Sequence, residues 1–166
     1  GSINKKQTVQ GFADESRWAR GQAWALYGFT MMHRMTGEVA YLNQAQKVAE
    51  MILPYLPEDG IPYWDFNSHD IPNDLQDASA GAIMASALIE LAGFTPERSE
   101  AYLAVAEKQL RTLASEEYLA QPGTNNNFLL RHGVGHKPAG GEVDAPLTYA
   151  DYYFLEALMR WQALGR

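Results

Sequence analysis

A chain of 166 residues, 46% hydrophobic and 20% charged, is long enough for one domain whose core hides about two-thirds of the unfolded surface. A net charge of −7 argues against a nucleic-acid backbone or an anionic membrane as partner, and the absence of cysteine excludes disulfides, thiolate metal sites and a cysteine nucleophile. No apolar run reaches the length of a membrane span, and Gly1-Ser2 resembles a cleavage scar, so the natural N-terminus is expected to lie elsewhere. A cytoplasmic location is expected, with the periplasm as the alternative.

Residues 1–16 read as a leader or rim segment. The first helix is expected from Arg17 to Met35, capped by Ser16 or Asp14 and stopped by Gly37. A second, Glu38 to Leu53, keeps Val39, Leu42, Ala45, Ala49 and Ile52 at helical spacing. The third, Ala78 to Ala92, is apolar all round behind Asp77 as N-cap. The fourth, Pro96 to Leu119, is amphipathic with proline suited to a first helical position. The fifth, Thr148 to Leu164, carries Tyr149, Tyr152, Tyr153, Phe154 and Trp161 on most sides. Strands are expected at most as short pieces in loops.

Helices one, three and five read as buried, whereas two and four wet one face. That alternation predicts an all-α toroid of helical hairpins, inner helices lined by outer ones. The long connections, 54–76 and 120–147, fall with the leader at the end where the inner helices begin. They are rich in Trp, Tyr, His, Asp and Asn, which favours function. Two and a half hairpins cannot close such a ring, so exposed apolar flanks are expected to meet the remainder of a larger protein or a second copy.

Arg17 and Arg20 stand out in "DESRWARGQAWALYGF" because cations are disfavoured in a helix's first turn by about 0.3–1 kcal/mol each. One explanation is a site for a negatively charged ligand, reinforced by the inner helix N-termini. The other is neutralisation by Asp14 and Glu15 in a surface ion-pair cluster.

The stretches "QTVQGFADESRWARGQAWALYGFTMMHRMTG", "DGIPYWDFNSHDIPNDLQDASAGAIMASALIEL", "FLLRHGVGHKP" and "EVDAPLTYADYYFLEALMRW" closely resemble, in this order, the unsaturated glucuronyl hydrolases of glycoside hydrolase family 88. The resemblance implies an (α/α)6 barrel of six hairpins, with residues 17–166 as the C-terminal half. It also implies removal of a Δ4,5-unsaturated uronic acid from lyase-generated oligosaccharides. In that chemistry an aspartic acid protonates the C4=C5 vinyl ether, water adds at C5, and the hemiketal opens and expels the remaining sugar. No attack at the anomeric carbon is needed, unlike the usual two-carboxylate displacement. The family's key aspartates lie upstream of the stretch that matches here, so no catalytic residue is assigned and this chain alone is expected to be inactive. The partners implied are the unsaturated uronyl oligosaccharide and the N-terminal half of the barrel or a second copy.

The same resemblance places Thr8, Gln10, Trp18, Arg20 and Trp24 along the sugar site. The chemistry suits them: a guanidinium grips a carboxylate, indoles cover sugar C–H faces, and a glutamine side chain both donates and accepts. His132, His136 and Lys137 form a candidate rim for the neighbouring sugar, with Lys137 as a sulfate or carboxylate contact. The four-residue spacing of His132 and His136 invites a metal, but Gly133 and Gly135 argue for a loop, so neither metal nor cofactor is expected. Asp65 suits a turn with Asn67, Asp77 a helix cap, and Asp151 and Glu156 hydrogen-bonded structural roles. The rival reading is a non-catalytic helical module that binds acidic sugars or mediates protein association.

Overall fold

The computed structural model describes residues 1–165. Its elements in order are α1 (Ala19–Thr36), α2 (Val39–Ile52), α3 (Ala78–Phe94), α4 (Ser99–Leu113), β1 (Gly133–His136), β2 (Gly141–Ala145) and α5 (Thr148–Ala163). Gly37 ends α1 as expected, in the left-handed conformation (φ 74°) with its N–H on the His33 carbonyl. Neither Ser16 nor Asp14 caps the helix start. Trp18 holds that position without a side-chain hydrogen bond, while the Ser16 hydroxyl bonds Ala13 and Asp65 instead.

The hydrophobic spacing accounts for the packing. On α2 the buried residues are Ala45, Val48, Ala49 and Ile52, one stripe of a 3.6-residue period. Val39, expected in the buried set, points away from that stripe and is 60% exposed. On α3 every residue from Ala78 to Ile89 is buried, and Asp77 caps it by accepting the Ser79 N–H. Its small side chains let neighbours approach from several directions: α1, α4 and α5 all pack against it. At Gly81 an added Cβ would sit 3.0 Å from Ile61 Cδ1, so the loop before α3 presses directly on the helix.

Two helical hairpins result, α1 with α2 and α3 with α4, and α5 lies against α3. Trp24 and Tyr27 of α1 reach Tyr153 of α5 at 5.1 and 5.0 Å between ring centroids. Burial all round holds for α3 but not for α1 or α5. Each of those buries one stripe: Ala19, Arg20, Ala23, Leu26 and Thr30 on α1, and Ala150, Phe154 and Ala157 on α5. The flank of α5 is apolar and open, with Tyr152, Leu155, Leu158 and Met159 exposed.

The fourth helix is shorter than its pattern suggests. Pro96 accepts from Ser99 in a turn before α4 and does not occupy a first helical position. Beyond Leu113 the backbone leaves the helix because residues 118–120 find other partners: the Arg131 N–H bonds the Tyr118 carbonyl and the Ala120 N–H bonds the Leu129 carbonyl. The long loop that follows contains the antiparallel β1/β2 hairpin, with Val134 opposite Val143 and His136 opposite Gly141. It docks on the start of α3 through Ala78 N–H to the His132 carbonyl and Val134 N–H to Asp77. Among the described residues no helix is long and apolar enough to cross a membrane.

Candidate functional site

The N-terminus of α1, the N-cap of α3 and strand β1 meet at Arg20. Its guanidinium is buried: Nη1 bonds Asp77 Oδ2 at 3.0 Å, Ser79 Oγ at 3.4 Å and the Val134 carbonyl, and Nη2 bonds the Gly135 carbonyl. Asp77 Oδ1 accepts from the Ser79 N–H, the Ser79 hydroxyl and the Val134 N–H. Complete burial raises the Asp77 pKa, against the opposing pull of Arg20 and of these donors. The cation in the first turn of α1 is thus compensated across space by the cap of another helix.

This corrects the local ion-pair reading. Asp14 pairs with Lys5 at 3.3 Å, and Arg20 pairs with Asp77. Arg17 precedes the helix altogether, donates to Asn67 Oδ1 and lies 4.0 Å over the Tyr55 ring. Only Arg20 stands in the first turn.

Aromatic rings surround that guanidinium. Its carbon lies 4.7 Å from the Trp18 ring and 5.3 Å from Tyr149, and Tyr149 is 6.3 Å from Trp24. Burial raises the Tyr149 phenol pKa, with Arg20 pulling the other way. The leader closes the same corner: Gln10 Nε2 donates to the Gly135 carbonyl at 3.0 Å, sharing it with Arg20. Thr8 Oγ1 accepts from Gly11, whose absent side chain lets Thr8 and Trp18 Cβ come close. His136 Nε2 contacts the Val9 carbonyl at 2.9 Å. Gln10, Arg20 and His136 therefore meet at β1, Thr8 and Trp18 flank them at Gly11 and Arg20, and Trp24 stands further along α1 against Tyr149 and Tyr153.

His132 and Lys137 lie apart from this cluster. His132 sits 2.6 Å from Asp144 and edge-on to Tyr118 at 5.6 Å, so the two histidines serve different contacts. Lys137 bonds Asp74 and lies 5.0 Å over Trp64. Burial alone would raise Asp74, but donation from Lys137, Ser68, Trp64 and the Leu75 N–H outweighs it and holds the carboxyl down at about 2. Among the described residues no group of three or more His, Asp or Glu side chains could hold a metal ion.

The remaining carboxylates serve the framework. Asp65 is buried and accepts from Phe12 N–H, Ser16 Oγ and the Asn67 N–H, which makes the expected turn. Asp151 holds the Leu129 and Leu130 N–H groups at 2.8 Å each. Glu156 accepts from Tyr27 and Ser86 and faces Arg160. Sequence reasoning took Asp77 for a cap alone and gave Asp74 and Tyr149 no place near a site. The cation without a local anion was the available signal for Asp77; Asp74 and Tyr149 carried none.

No protein-family model matches the chain. An unsaturated glucuronyl hydrolase of Formosa agariphila is 48% identical over 99% of this chain and 41% of its own length. The unsaturated glucuronyl hydrolase of a Bacillus strain is 36% identical over 96% of the chain and 43% of its own. A crystal structure of an unsaturated glucuronyl hydrolase specific for heparin superposes with a TM-score of 0.95 at 44% identity, over 99% of this chain and 45% of that one. A mutant unsaturated glucuronyl hydrolase of Streptococcus agalactiae, complexed with dGlcA-GalNAc6S, gives 0.85 at 35% identity, over 97% and 43%. The resemblance to unsaturated glucuronyl hydrolases thus extends along nearly the whole chain, which spans about two-fifths of the curated relatives' length.

Proposed function

We propose that this chain is one part of an unsaturated uronyl hydrolase, about half of an (α/α)6 barrel, and that it supplies the sugar-binding wall of the pocket. Similarity to unsaturated glucuronyl hydrolases along nearly all of its residues carries this reading. The relative complexed with dGlcA-GalNAc6S supports an unsaturated uronyl oligosaccharide as ligand. The open apolar flank of α5 supports completion of the ring by further chain, or by a second copy.

Each residue has a distinct task in this proposal. Arg20, fixed by Asp77, keeps a positive charge beneath the corner. Gln10 donates one amide hydrogen to Gly135 and turns its carbonyl oxygen to a sugar hydroxyl. Trp18 and Trp24, both partly exposed, offer ring faces to the apolar side of the sugar. His136 holds the leader against β1 at the Val9 carbonyl, Thr8 braces the leader's turn at Gly11, and His132 and Lys137 stand at the rim. The acid that protonates C4 and the site where water adds at C5 belong to the rest of the protein.

The test is binding of a lyase-generated Δ4,5-uronyl disaccharide to the chain and to its Gln10→Ala and Trp24→Ala variants. Each substitution is expected to weaken binding by about fivefold to tenfold, the scale of one neutral hydrogen bond or one ring contact. Unchanged affinity in both variants removes the corner from the pocket. Turnover, followed as loss of absorbance from the conjugated double bond, is expected to be absent with this chain alone.

A further inference from the structure

Helices α1 and α5 both pack on α3, and long side chains bridge the space between them. These side chains mesh in order along the two helices. The Arg20 guanidinium lies 5.3 Å from the Tyr149 ring, and Trp24 and Tyr27 both stand edge-on to Tyr153, at 5.1 and 5.0 Å. The contacts recur three or four residues apart on each helix, so they share one face of each. Trp24 and the three tyrosines that form this ladder are all half-buried. Edge-to-face ring contacts are individually weak, so the rings by themselves hold the tilt of the Trp24 indole poorly.

The far end of the ladder is pinned by charge. The Tyr27 hydroxyl donates to Glu156 Oε1 at 3.1 Å, and Glu156 Oε2 accepts from the Ser86 hydroxyl of α3. Arg160 Nη2 lies 3.5 Å from that second oxygen, while its Nη1 donates to the Ser86 carbonyl at 2.9 Å and to Glu90 Oε2 at 2.6 Å. Glu90 also pairs with Arg34 of α1. One carboxylate, that of Glu156, thus joins three helices. Burial first, and then the Glu156 charge, push the Tyr27 pKa up to about 12, so the phenol keeps the proton it donates.

Resting on the reading that Trp24 covers a face of the bound uronyl sugar, we infer that Glu156 is a positioning residue for that indole. Glu156 holds the Tyr27 hydroxyl, Tyr27 fixes Tyr153, and the two rings set the tilt of Trp24. Glu156 acts through these rings and does not itself touch the sugar.

The test follows the indole N–H signals of the chain by NMR, and its affinity for a lyase-generated Δ4,5-uronyl disaccharide. Tyr27→Phe keeps the ring and removes only the hydroxyl, whereas Glu156→Ala removes the acceptor. Both are expected to displace the Trp24 signal of the ligand-free chain while the Trp64 signal, held by Asp74, stays in place. Both are expected to weaken binding about threefold to fivefold, the scale of one lost hydrogen bond. Glu156→Gln keeps an acceptor for Tyr27 and is expected to restore signal and affinity. In a Trp24→Ala background Tyr27→Phe is expected to cost no further affinity, because both act through one ring. A Trp24 signal that stays in place in Tyr27→Phe overturns the inference, even where stability falls. So does an equal loss of affinity with and without Trp24. A Trp24→Ala variant that binds as wild type does, beside a Trp24 signal that moves in Tyr27→Phe, rejects the sugar contact and leaves Glu156 as what sets the tilt of the indole.

Discussion

Asp77, at the N-cap of α3, holds Arg20, at the start of α1, through a 3.0 Å ion pair whose side chains are 0% and 3% exposed. Removing either partner strands the other as a buried charge, which costs about 3–5 kcal/mol. Arg20→Ala and Asp77→Ala are each expected to lower the unfolding free energy of the chain by that amount in urea titrations. The double variant Arg20→Ala with Asp77→Ala is expected to be less destabilised than the sum of its parts, because no charge is left unpaired. Additive losses would mean that the two groups do not act as a pair.

The β1/β2 hairpin depends on a close approach at Gly133. A Cβ there would lie 2.7 Å from the Ala145 carbonyl oxygen and 2.6 Å from Leu147 Cδ1, and the first of these is backbone. Gly133→Ala is expected to cost about 1–3 kcal/mol through overpacking. Gly28, within α1, is the control, since an added Cβ there meets nothing within 4 Å. Gly28→Ala is expected to stabilise by about 0.5–1 kcal/mol, because alanine loses less backbone freedom in a helix. Thermal melts of the two variants should move in opposite directions.

Asp74 gives the chain a specific acid sensitivity. Its folded pKa of about 2 lies below the ordinary 3.8, so the folded state binds this proton less readily than the unfolded state. The stabilisation is complete above about pH 4 and is lost as pH falls towards about 2. Asp74→Asn is expected to lower stability at neutral pH and to flatten the stability profile in that window. An Asn variant as acid-sensitive as wild type between those values assigns the effect to other carboxylates.

The helices were legible because their apolar residues recur at helical spacing and their stops are explicit, as at Gly37. The cap role of Asp77 was legible too, from its place before an apolar run. What escaped were relationships across sequence distance: no local pattern joins Arg20 to Asp77, or Lys137 to Asp74. The end of α4 was overestimated because helical spacing continues through Leu119 while the backbone partners have already moved to residues 129–131. The β1/β2 hairpin has four-residue and five-residue strands with left-handed Glu142 and Asp144, too short and too irregular for alternation to reveal.

The apolar flank of α1 and α5 yields the last expectation. A groove of about 260 Å³ along α1 is lined by Trp24, Ala25, Gly28, Phe29, Met31 and Met32. On α5, Leu155 is 48% exposed and Met159 71%. Under the proposed half-ring these surfaces face the missing hairpins, and their hydrophobic area favours association when that cover is absent. The isolated chain is therefore expected to self-associate in sedimentation-velocity experiments at micromolar concentration. Leu155→Glu with Met159→Glu should shift it to monomer without loss of helical circular dichroism, since neither side chain belongs to the core. A wild-type chain that sediments as a monomer throughout would show that this flank does not drive pairing of copies, and would leave completion of the ring to further chain of the same protein.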